Sequence, residues 1–222
     1  MSGSIPVLII PVINRFDLLE RVLKSINYPI DNVLVIDNSG TYKLPDGVYD
    51  GKITILNMPA NMGVAGSWNL GIKCYPHSPY WMFTTVDSGF YPDTLERLAA
   101  VASTEKLVLS QEQFNTYCLG AEVVKLAGIF DENYFPAYCE DTDYLMRLNT
   151  LGLNDLVVQS GIPVELYGVN VSTQDNPQYA ERNRMTFDSN VGFLTHKSHT
   201  PNQYLWTHHK WELQRRIDNE WD

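Results

Sequence analysis

Pro6–Asn27 reads PVLIIPVINRFDLLERVLKSIN, and it changes period halfway. Pro6–Pro11 (PVLIIP) is a short, wholly apolar run, suited to a strand buried on both faces. Arg15–Asn27 then carries apolar residues at Phe16, Leu19, Val22, Leu23 and Ile26, which is helical spacing. A buried strand feeding an amphipathic helix is the opening of an α/β fold.

The pattern repeats. Val33–Ile36 (VLVI) is a second buried strand, ending in the turn cluster Asp37–Gly40 (DNSG). Lys52–Leu56 (KITIL) reads as a third strand, Val64–Cys74 as a short helix and Trp81–Val86 (WMFTTV) as a fourth strand. Pro92–Ala102 starts with Pro and two acids in its first turn, as a helix should. Alternation of this kind predicts a mostly parallel central sheet flanked by helices, with ligands beyond the C-terminal strand ends. Asn14 and Arg15, Asp37–Gly40, Asn61–Gly63 and Asp87–Gly89 all fall there and outline one mouth. Further on, Ala121–Gly128 and Glu140–Leu151 are expected helices, and Val164–Tyr167 a short strand. Ser172–Arg184 reads as a polar loop and Gln203–Trp221 as a C-terminal helix. Trp206, Trp211 and Trp221 in that last segment read as core or self-association residues. Residues 105–120 and 172–202 carry no readable acceptor code.

The 222 residues suit one domain. Hydrophobic residues at 44% and charged residues at 19% indicate a soluble globular chain. No apolar run approaches the ~18 residues of a membrane span. Val7–Ile13 lacks a basic leader and a cleavage site, so it is not a signal peptide and a cytoplasmic protein is expected. Cys74, Cys118 and Cys139 have no metal-ligand spacing and are odd in number, which argues against a disulfide framework. A net charge of −10 opposes nucleic-acid and anionic-membrane binding. It also repels a diphosphate unless a divalent cation offsets the charge.

No Gly-x-Gly-x-x-Gly or P-loop motif is present. Gly63–Gly66 (GVAG) fits either a tight turn into a helix or close backbone approach to a ligand. Asp87 ends an apolar strand, where it caps a turn or reaches a metal or ribose. Glu140, Asp141 and Asp143 open a helix whose dipole they stabilise by ~0.3–1 kcal/mol each. Asp143 and Arg147 stand at i,i+4 spacing. Three acids in four residues also repel one another, and the raised pKa suits a general base.

Four ordered stretches resemble family-2 glycosyltransferases of the GT-A (Rossmann-like) fold. They are Val7–Ile26 (VLIIPVINRFDLLERVLKSI), Val35–Gly40 (VIDNSG), Asn61–Gly71 (NMGVAGSWNLG) and Ile129–Leu148 (IFDENYFPAYCEDTDYLMRL). The resemblance covers roughly residues 5–175. It implies an inverting transfer of a sugar from a nucleotide-diphospho-sugar, UDP-sugar first among them, to a hydroxyl of a glycan or protein acceptor. Asp37 would then bind the base, walled by Pro11, Asn14 and Arg15. Asn61, Gly66 and Asn69 would lie along ribose and diphosphate, with Thr85 and Val86 beside them. Asp87 would hold Mn²⁺ or Mg²⁺. Asp141 would be the base, Glu140 its neighbour, and Asp143 structural. The resemblance divides the single domain into a nucleotide-sugar-binding half (about 1–100), an acceptor and catalytic half (about 101–175), and a loop with a C-terminal helical extension (about 176–222). Two departures stand out. The family's first metal Asp is Thr85 here, and VELYGVNVST after Pro163 lacks the usual His. His196 or His199 would have to replace it, although both read as surface residues. These departures favour the alternative of a catalytically silent nucleotide-sugar or glycan binder.

Overall fold

A computed structural model describes residues 3–168 and 177–199. Its main sheet has seven strands in the order β3-β2-β1-β4-β7-β6-β8. They are β1 (Leu8–Val12), β2 (Val33–Asp37), β3 (Ile53–Asn57), β4 (Tyr80–Thr84), β6 (Leu107–Ser110), β7 (Gln113–Gly120) and β8 (Val157–Gln159). Strands β1–β4 are mutually parallel, whereas β7 runs antiparallel between β4 and β6. Two short strands, β5 (Ser88–Gly89) and β9 (Glu165–Leu166), pair antiparallel beside it.

Side chains alternate across this sheet because strand residues point to opposite faces. Leu8, Ile10, Val12, Val33, Val35 and Met82 pack on α1 (Phe16–Ser25) and α3 (Thr94–Val101) through Leu19, Val22, Leu23, Leu95 and Leu98. Val7, Ile9, Leu34, Ile36, Trp81 and Phe83 face the other way. They meet α2 (Gly63–Cys74), α4 (Ala121–Ala127) and α5 (Glu140–Thr150) through Trp68, Ile72, Val123, Tyr144 and Leu148. Gly71 lets α2 settle on β1, since a Cβ there would stand 2.6 Å from Ile9 Cδ1.

The switch in strand order lies between β1 and β4, where such sheets open a crevice. Here β1 pairs with β4 only through Leu8 and Ile9, while its pairing with β2 continues to Val12. Pro11, which has no N–H to donate, sits in the part that has left β4. The loops after β1 and β4 therefore diverge around a cleft.

Two expectations change. Residues 105–120 form the hairpin β6–β7, whose bend (Ser110–Gln113, SQEQ) contains none of the Gly, Pro, Asn or Asp residues that mark turns. The polar loop expected over Ser172–Arg184 is helical from Pro177, within α6 (Pro177–His199). Its weak amphipathic pattern hid it, and its contacts with residues 131–143 hold it in place. Residues 172–176 and the expected helix Gln203–Trp221, with its three tryptophans, lie outside the described residues.

Candidate active site

Asp37 ends β2 fully buried. Its Oδ1 accepts from Ser39 N and Ser39 Oγ (2.9 and 2.7 Å), and its Oδ2 from Thr41 N and Tyr42 N (both 2.7 Å). Burial pushes this carboxyl up, but the four hydrogen bonds outweigh it and hold the pKa below the usual value. The four acceptor positions of a carboxylate are thus engaged by its own loop. Asp37 shapes the rim of the mouth, and pairing with a base would add to a set already complete.

Asn38 joins that rim to α2. Its side chain donates to Ser67 Oγ (2.9 Å) and accepts from Met62 N (2.8 Å), and Ser67 Oγ donates to Gly63 O (2.7 Å). Asn61 Oδ1 accepts from Gly63 N (2.9 Å), closing the turn into the helix. Gly63 has φ +73°, and a Cβ on it would meet Pro136 O at 2.7 Å. Val64 N donates to that same carbonyl (2.7 Å). The glycine is therefore a docking point for the 131–139 segment. Gly66 is buried on the same helix, facing Met62 with Glu132 just beyond. Asn69, expected along the donor, faces inward. It is fully buried, donates to Phe130 O and Glu132 Oε1, and accepts from Phe130 N (all 2.9 Å). It fastens α2 to the acidic segment and has no surface to offer a ligand.

After β1, Arg15 grips Asp17 with two parallel hydrogen bonds (2.9 and 2.8 Å). Asn14 Oδ1 is buried without a hydrogen-bond partner. After β4, Thr85 Oγ1 lies 3.3 Å from Ser88 Oγ, Val86 is buried, and Asp87 is only 9% exposed. Tyr167 N donates to Asp87 O (2.7 Å), so the β5–β9 pair holds this loop.

The acidic run approaches from α5. Tyr138 and Cys139 both have left-handed backbones (φ 79° and 74°), uncommon for residues with side chains. Glu140 follows, 6% exposed, with Oε2 buried and unpartnered. Burial, and then the neighbouring Asp141, push its pKa to about 8. Repulsion within the run is thus the lesser cause. Asp141 is half-buried, with Oδ1 held by Thr142 N (2.6 Å) and Thr142 Oγ1 (3.2 Å). Asp143 is fully buried and pairs with Arg147 (3.0 Å), Lys197 Nζ (2.6 Å) and Tyr134 OH (3.0 Å). Lys197 also reaches Asp131 (2.6 Å). Burial raises the Asp131 carboxyl, but Lys197 and Asn133 prevail and hold it below its ordinary value. Two acids and two bases thus form a buried network of balanced charge.

Tyr117 on β7 ties this run to the end of β4. It stacks on Phe83 (4.7 Å between centroids), and its phenol is pushed far up by burial, then by Tyr144, Glu140 and Asp141. Sequence reading passed over Asn38, Lys197 and Asn190. Asn38 sat inside a turn cluster, and the other two lay in the stretch 172–202, which carries no readable acceptor code.

Among the described residues, no group of three or more His, Cys, Asp or Glu side chains can hold a metal by protein alone. His196 and His199 are exposed on α6, as surface histidines. A cation shared with substrate phosphates needs only one or two carboxylates. Asp87, the one acid in the β4–β5 turn, fits that arrangement.

The glycosyl transferase family 2 model matches residues 7–125. A galactofuranosyl glycosyltransferase of Leishmania donovani is 35% identical over 79 residues, which is 36% of this chain and 17% of that protein. The chain thus spans less than a fifth of that relative's length. Among solved structures, the catalytic domain of Drosophila β1,4-galactosyltransferase 7 in complex with xylobiose superposes with a TM-score of 0.55 at 14% identity, over 82% of this chain and 80% of that one. S. aureus TarS in complex with UDP-GlcNAc gives 0.52 at 14% identity, over 97% and 72%. A mutant of the Drosophila enzyme with manganese, UDP-Gal and xylobiose gives 0.52 at 15% identity, over 83% and 79%. At these identities the likeness is one of fold. Among the described residues, no helix is long and apolar enough to cross a membrane.

Proposed function

The chain belongs to glycosyl transferase family 2, and from that premise we propose that it is an inverting glycosyltransferase. It moves a sugar from a nucleotide-diphospho-sugar, with UDP-sugars the first candidates, to a hydroxyl of a glycan or protein acceptor. The observation that carries this reading is the pair of carboxyls opening α5. Glu140 is buried with an unpartnered oxygen, and Asp141 beside it reaches solvent.

The two acids divide the work. Thr142 anchors one oxygen of Asp141, and the other serves as the base. That oxygen takes the acceptor's proton as the acceptor oxygen attacks the anomeric carbon from the face opposite the diphosphate. The bond to the diphosphate breaks, its electron pair leaves with the nucleotide, and configuration inverts. Glu140, holding its own proton at neutral pH, spares Asp141 a second negative charge. On the donor side, the loops after β1 and β2 form the nucleotide pocket with Pro11, Asn14 and Arg15, and Asn61 just before α2 and Gly66 within it edge the pocket. Thr85 and Val86 flank the sugar. Asp87 would share Mn²⁺ or Mg²⁺ with the diphosphate, a cation that offsets charge on the leaving group. Residues 1–100 thereby serve the donor and 101–175 the acceptor.

Two features favour a second reading, a silent nucleotide-sugar binder. Thr85 replaces a metal carboxylate, and Asp37 is satisfied within its own loop. Calorimetric titration with UDP-, GDP- and dTDP-sugars, with and without Mn²⁺, separates the outcomes. The transferase reading expects one nucleotide series to bind, more tightly with Mn²⁺ and less so in Asp87→Ala. Affinity indifferent to EDTA would remove the metal role, and binding without turnover would establish the silent reading.

A further inference from the structure

Four residues of helix α6 bear on the 131–143 segment, which leads into and includes the acidic run. Asn190, 5% exposed, donates from Nδ2 to Ala137 O (2.8 Å) and Tyr138 O (3.0 Å). Phe187 meets the Tyr138 ring edge-on (5.7 Å), and Phe193 meets Tyr134 in the same way (5.1 Å). Lys197 bridges Asp131 and Asp143 (both 2.6 Å). The bond at Tyr138 falls on the peptide that joins the two left-handed residues, Tyr138 and Cys139. Such backbones persist only where surrounding contacts over-determine them. The direction in which this turn releases the chain sets where Glu140 and Asp141 point.

We propose that Asn190 is a positioning residue for the transfer reaction. Its amide clamps two successive carbonyls and fixes the left-handed turn that aims Glu140 and Asp141 at the donor. The proposal rests on the assignment of Asp141 as base. It places a determinant of turnover more than 60 residues past the stretch that the family model matches, as 190 − 125 shows. The clamp needs donors and no charge. Asn190→Asp keeps the shape but sets a carboxylate against two carbonyls, whereas Asn190→Ala removes the contact.

The test measures donor affinity by calorimetry and turnover by nucleotide release in wild type, Asn190→Ala, Asn190→Asp, Thr195→Ala and Asp141→Asn. The Thr195 hydroxyl donates back to Val191 O along its own helix, so its removal controls for disturbance of α6 alone. Misplacing a reacting group by an ångström costs up to about 100-fold. Both Asn190 variants are expected to lose at least about tenfold in kcat, with donor Kd within about twofold of wild type. Thr195→Ala should match wild type. Should an Asn190 variant fail to melt cooperatively, Phe187→Ala, which removes only the contact with Tyr138, carries the same test with a smaller fall in kcat. Wild-type kcat in folded Asn190→Ala, or in Phe187→Ala where that stands in, overturns the proposal. So does a loss of donor affinity equal to the loss of kcat, which marks general damage. Full turnover in Asp141→Asn overturns the base assignment instead, so the two failures are told apart.

Discussion

Glu140 is a carboxyl strongly altered by its burial. Its folded pKa of about 8 lies above the ordinary 4.5 because the carboxyl is buried with no partner for Oε2. The folded state therefore holds a proton that the unfolded chain releases between those values. Stability from this group is intact below about pH 4.5 and declines as pH rises toward 8. Glu140→Gln, which cannot ionise, should remove that decline. Urea unfolding at pH 5, 7 and 9 is expected to show the variant gaining on wild type by a few kcal/mol at pH 9, and little at pH 5. Parallel pH dependences would contradict the burial argument. The acidic run itself was legible in sequence, because three acids at a helix start are visible in any reading. The cause of the Glu140 shift was not. Repulsion can be counted from sequence, whereas burial depends on Tyr144, Leu148 and the strands beneath them. Asn69 shows the reverse error. It stands in a motif expected to lie along the donor, yet helical rotation turns it inward onto Phe130 and Glu132.

At the scale of elements, strands β1–β4 and helices α1–α3 follow from periodicity, and the structure places each within a few residues of expectation. The hairpin β6–β7 and helix α6 do not follow. The hairpin turns without turn residues, and α6 lacks a strong apolar stripe, so its stability is tertiary. Lys197 supplies much of that attachment, at 2% exposure between Asp131 and Asp143. Removing one partner of a buried ion pair costs about 3–5 kcal/mol because the remaining charges stay buried. Lys197→Met is expected to lose that much in chemical denaturation. A loss under about 1 kcal/mol, the range of exposed pairs, would show that the network is solvated. Arg97→Ala, which breaks an exposed pair with Asp93, gives the contrast and should cost little.

For the molecule as a whole, the decisive feature is where its halves meet. The switch in strand order opens a crevice between β1 and β4. The 131–143 segment packs on α2 through Gly63 and Val64, and α6 fastens that segment through Asn190, Phe193 and Lys197. The sheet was predictable because parallel strands are written locally. The mouth was predictable in outline because strand ends must lie together. Which polar residues face it and which merely build it depended on packing. Asp37 and Asn38 are hydrogen-bonded within their own loop and to α2, while Glu140 Oε2 is buried without a hydrogen-bond partner. Nucleotide diphosphate release from a bound UDP-sugar in Asp141→Asn, beside wild type, tests the central claim most directly. The account predicts retained donor binding with turnover down by about 10²–10⁴, the contribution of a general base. Turnover at the wild-type rate would contradict it.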